Sequence, residues 1–115
     1  MQTRIYKLVP SARPDDQNWD RAINQGEVVV RAVSSGDARI VAAYAEAAAL
    51  SLKAPVEATT RVSASAFRDS KLYTVVDDTS GEFPADGPRE ALRAVFEVPA
   101  NYALPTVGTE EIPQR

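Results

Sequence analysis

The sequence predicts an α+β domain: one mostly antiparallel sheet of four to five strands, with one main helix packed on one face. Three observations lead there. Valine-rich residues 27–33 have strand character on both sides, the Ser34-Ser35-Gly36-Asp37 turn follows at once, and an alanine-rich run with helical spacing extends to Lys53. Strand-period segments stand before and after this single helix-period segment, an order that suits a sheet with one covering helix.

Residues 3–9 form the first strand, with Ile5, Lys7 and Val9 on one face and Tyr6 and Leu8 on the other. Pro10 ends it. Residues 15–25 are a polar connection, and Trp19 within it is expected to plug the edge of the core, because its ring is costly to leave in water. Residues 27–33 form the second strand. Val28, Val30 and Ala32 share one face while Val29, Arg31 and Val33 share the other, and apolar character on both sides marks a central strand.

The helix is expected over 36–53. Ser34 and Asp37 have capping-box spacing, in which the serine oxygen accepts the amide of the third helical residue and the carboxylate reaches back. At 100° per residue, Asp37, Ile40, Val41, Tyr44, Ala47, Ala48, Ser51 and Leu52 fall on one side, which is expected to face the sheet. Arg39, Ala42, Glu46, Ala49 and Lys53 fall opposite. Pro55 stops the helix soon after Lys53.

Residues 59–67 and 71–77 are further strands joined by a turn; residues 64–69 fit a short helix as well. The second is the firmer, since Leu72 to Val76 are strong strand formers. Residues 78–88 carry the glycine and proline chemistry of a surface loop. Residues 88–98 alternate as a strand, although their proline start also suits a helix. The domain therefore spans 1–98, and 99–115 reads as an extended C-terminal tail.

Composition narrows function by exclusion. The 115-residue chain has no cysteine and no histidine, and carries a net charge of −3. Thiolate chemistry, disulfides and the usual general base are absent, which points away from an enzyme. The negative balance argues against broad attraction to nucleic acid or to an anionic membrane. No apolar run approaches a membrane span and no signal-peptide core opens the chain, so a cytoplasmic location is expected.

Asp16, Asn18, Asp20 and Glu27 occupy EF-hand ligand positions, but Arg21 stands where the sharp turn needs glycine, and no helices flank the loop. Capping of a short turn is the expected role instead, and neither a metal nor another cofactor is expected. No phosphate-cradling glycine motif and no S-x-x-K string occurs. Paired carboxylates such as Asp77/Asp78 read as solvated turn charges.

The candidate binding face is the sheet side away from the helix, where Lys7, Arg31, Tyr73 and Arg93 would stand on an apolar floor. The expected role is a non-enzymatic module that associates with itself or another protein. The alternatives are an anionic ligand or single-stranded nucleic acid on this open face, which the charge balance disfavours, and a small enzyme without histidine or cysteine.

The stretch Val-Val-Val-Arg-Ala-x-Ser-x-x-Asp-Ala-Arg from Val28, Thr59-Thr60-Arg61, and Ser-Ala-Phe-Arg-Asp-x-Lys-Leu-Tyr-Thr-Val from Ser65 resemble a group of small uncharacterised bacterial proteins carrying a domain of unknown function. The similar stretches cover about half the chain, residues 27–76. The resemblance implies a shared fold and assigns no activity or site residue.

Overall fold

A computed structural model describes residues 2–22, 25–51, 62, 65–94 and 96. In chain order these give strand β1 (Arg4–Pro10), a 3₁₀ turn (Gln17–Arg21), β2 (Val28–Ala32), helix α1 (Ser35–Ser51), a second 3₁₀ turn (Ala66–Arg68), β3 (Tyr73–Asp77) and β4 (Glu90–Arg93). The strands form one antiparallel sheet in the order β3-β1-β2-β4. This is the α+β architecture of a four-stranded sheet and one main helix. Residues 99–115 lie outside the described residues.

The register sorts the side chains into two faces. Tyr6, Leu8, Val28, Val30, Ala32 and Tyr73 point to the helix side and form the core with Ala38, Val41, Ala42, Phe67 and Leu72. Ile5, Lys7, Val29, Arg31, Val76 and Arg93 point the other way. Every residue of β2 is buried, as its double-sided apolar pattern requires. Trp19 closes one edge of the core: it is 8% exposed, meets Tyr73 edge to face at 5.5 Å between centroids, and donates its indole N–H to Arg13 O.

The helix starts as its cap dictates. Ser34 Oγ accepts the Asp37 amide at 3.1 Å, and the Asp37 carboxylate reaches back one residue further than the usual box, to the Val33 amide. The buried side of α1 differs from the expected one. Ala42 and Glu46, expected outward, are buried, whereas Ile40, expected inward, is 37% exposed. Two bodies pack on this helix: the sheet takes Ala38, Val41 and Ala42, and Val62 takes Ala43 and Ala47. In so alanine-rich a helix, apolar periodicity is too faint to orient the cylinder, so close packing of the small side chains decides.

Two strand expectations also change. Ala66–Arg68, inside the 64–69 stretch that also suited a short helix, is a 3₁₀ turn, capped by Ser65 Oγ accepting the Phe67 amide; residue 62 is helical, and residues 59–61, 63 and 64 lie outside the described residues. Among the described residues of 88–98, Glu90–Arg93 are the strand, and residues 95, 97 and 98 lie outside the described residues; Phe96 lies in a bend and packs against Phe67 at 6.0 Å. Among the described residues no helix is long and apolar enough to cross a membrane.

Candidate interaction surface

The four residues of the candidate face do not assemble. Tyr73 lies opposite Pro10 on the helix side, fully buried against Phe67, with its hydroxyl donating to Gly26 O at 2.8 Å. Burial, and secondarily the nearby Glu46 carboxylate, push its ionisation well above the ordinary value of 10. Strand phase explains the correction: the β1–β3 register pairs Lys7 with Val76, not with a neighbour in phase with Tyr73.

Arg31 does lie on the second face, but it is 4% exposed. Its guanidinium donates from Nε and Nη2 to Pro84 O, and from Nη1 to Pro88 O and to Glu90 Oε2. Thr3 Oγ1 adds a bond to Ala85 O at 2.6 Å. The loop after β3 is thus strapped across this end of the sheet, with carbonyls that need donors and prolines that supply none. Around Arg31 the face is not open: Ile5 and Val29 are 8% and 2% exposed. Gly87 permits the approach, since at φ +149° any Cβ there would stand 2.8 Å from Arg31 Cζ.

Lys7 and Arg93 remain. Both flank Val29 in the register. Arg93 is exposed, pairs with Glu82 and stands 5.7 Å from the Phe83 ring centroid. Lys7 is half-buried and adds a small share to the lowering of the Asp78 carboxyl, whose main cause is hydrogen bonding by the Ser80 amide. Asp16, first of the calcium-like positions, caps the first 3₁₀ turn by accepting the Asn18 amide at 2.8 Å. Among the described residues no cluster of three metal-ligating side chains occurs.

The two sheet edges differ sharply. At β4 the edge is short, bulged beside Val29 and Val30, and ends on the Arg93–Glu82 pair; such edges resist pairing. At β3 the edge is regular. Ser11 N–H to Leu72 O and Asp78 N–H to Ile5 O bracket the β1–β3 ladder. That phase makes Pro10·Tyr73, Leu8·Val75 and Tyr6·Asp77 the non-hydrogen-bonded pairs, so the backbones of Tyr73, Val75 and Asp77 face away from β1. Tyr73 is already engaged, its amide with Asp69 O and its carbonyl with Arg39 Nη2. Val75 and Asp77 have no such partners among the described residues, and Val76 between them is 41% exposed.

Sequence reasoning missed this edge because which side of a strand lacks a neighbour is a property of topology alone. The chain matches no protein-family model, no curated protein and no solved structure.

Proposed function

We propose that this chain is a non-enzymatic interaction module of the bacterial cytoplasm that associates with a second copy of itself, edge to edge through β3. The observation that carries this reading is the phase of the outer β3 edge. A two-fold axis through Val76 sets Val75 of one copy opposite Asp77 of the other. The amide and carbonyl of each then meet, and the axis repeats the exchange on the other side. Val76 faces its own twin in the close, non-hydrogen-bonded pair, which buries the exposed apolar residue at the centre. No like charges stand opposite one another, because Asp77 faces valine and Asp78 faces Thr74.

Binding of an anionic ligand or single-stranded nucleic acid on the second sheet face has less support. Arg31 is committed to the loop, Tyr73 lies on the other side, and Arg93 is paired with Glu82.

Sedimentation of the full chain across the micromolar range tests the proposal. The wild type should pass from monomer to dimer with rising concentration. Val76→Asp sets two carboxylates face to face on the axis, and Val75→Pro removes an outward amide without breaking a bond to β1. Both should stay monomeric with the fold retained. A wild type that remains monomeric at high micromolar concentration, or dimers unaffected by either change, would refute the reading.

A further inference from the structure

An open recess of about 590 Å³ lies between the end of the sheet and the first turn of α1, lined by Gln2, Arg4, Tyr6, Ser34, Ser35 and Asp77. Strand register explains why three of these converge. Arg4 and Tyr6 are two residues apart on β1, and Asp77 lies directly opposite Tyr6 on β3, so all three belong to the helix-bearing face. The recess is where that face runs past the helix.

Three of its polar side chains, those of Arg4, Tyr6 and Asp77, have no partner among the described residues. Tyr6 is 5% exposed, yet its hydroxyl meets no hydrogen-bond partner among the described residues. A buried phenol normally finds one, because an unmade bond there is costly. Arg4 and Asp77 form no ion pair among the described residues, with each other or with any other group. At the helix start, the Asp37 amide goes to Ser34 Oγ and the Ala38 amide to Ser34 O, and those of Ser35 and Gly36 have no intrahelical acceptor.

We infer that this recess binds a free α-amino acid. The carboxylate would sit at the Ser35 and Gly36 amides, where the helix dipole is positive, with Arg4 as its counter-charge and the Tyr6 hydroxyl as a further donor. The ammonium would face Asp77. Both charges are needed for the fit. A plain anion meets the Asp77 carboxylate, and a plain cation meets Arg4 and the helix start. Asp37 does not spoil the anion subsite, because Arg89 holds its carboxylate in a two-point ion pair.

Amide and tyrosine side-chain resonances of the full chain, titrated with individual α-amino acids, acetate, inorganic phosphate and methylammonium, test this. At least one amino acid should give saturable shifts at Tyr6, Ser35 and Gly36, with acetate, phosphate and methylammonium binding at least tenfold more weakly. Arg4→Ala and Asp77→Asn change exposed side chains and should keep the fold; each should weaken amino-acid binding about tenfold or more, as loss of a charged hydrogen bond does. Asp77→Asn should in addition strengthen acetate binding. Tyr6→Phe keeps the ring and should weaken binding without altering the ligand preference. The Val76→Asp protein should bind as the wild type does, which separates this site from edge pairing. No saturable shift with any amino acid, or acetate or phosphate binding as tightly as the best of them, would overturn the inference.

Discussion

Arg89, just before β4, holds Asp37, in the first turn of α1, through two parallel hydrogen bonds: Nε to Oδ2 at 2.9 Å and Nη2 to Oδ1 at 2.5 Å. The same carboxylate accepts the Val33 amide, so one side chain joins the end of β2, the start of α1 and the approach to β4. The side chains are only 16% and 9% exposed. Removing one partner leaves a desolvated charge without its match, so Asp37→Ala should cost about 3 kcal/mol in urea denaturation. Arg93→Ala, which breaks an exposed pair with Glu82, should cost less than about 1 kcal/mol. Equal losses would show that the Asp37–Arg89 pair is no more than a surface contact.

Gly87 and Arg31 give a second comparison. A methyl group at Gly87 meets the Arg31 guanidinium and also forces a side chain into positive φ. Gly87→Ala should destabilise by roughly 1–3 kcal/mol. It should also raise hydrogen exchange at the loop and at Thr3, whose hydroxyl holds Ala85 O. Gly81→Ala has open space around it and bears only the cost of its own positive φ, so its effect on Arg31 resonances should be nil.

The buried side of α1 is tested by two substitutions of opposite sense. Ala42→Leu forces volume into a filled core and should cost about 1–3 kcal/mol. Ile40→Ser acts on a partly exposed position and should cost less than about 1 kcal/mol. The reverse ranking would restore the helix face that spacing alone predicts.

Tyr73 sets an alkaline limit. Its folded ionisation lies above that of the unfolded chain, so its contribution is fully present below pH 10 and is lost as pH rises beyond it. Unfolding free energy should therefore fall above pH 10, with a slope contribution of up to about 1.4 kcal/mol per pH unit from this one group. Tyr73→Phe, which loses the bond to Gly26 O, should be less stable at neutral pH and show a shallower alkaline decline. A parallel decline in both proteins would assign the effect to other residues.

What the sequence determined by itself was local. Period-2 alternation placed β1 and β2, the Ser34/Asp37 spacing placed the start of α1, and the size of Trp19 required a place at the core edge. Each depends on residues within a turn or a few positions, where backbone geometry repeats. What only the tertiary structure decided concerned partners far apart in the chain. Arg31 has the spacing of a surface cation, and becomes a buried strap because the carbonyls of Pro84 and Pro88, more than fifty residues on, come within reach. Tyr73 belongs to the core because β3 pairs with β1 in one phase, and a one-residue slip would turn it outward. The side of α1 that is buried, the place of β3 at the outside of the described sheet and the recess at Arg4, Tyr6 and Asp77 follow from the same cause. Alternation fixes which residues share a face within one strand, but register and strand order fix which faces meet, and those are set by long-range packing.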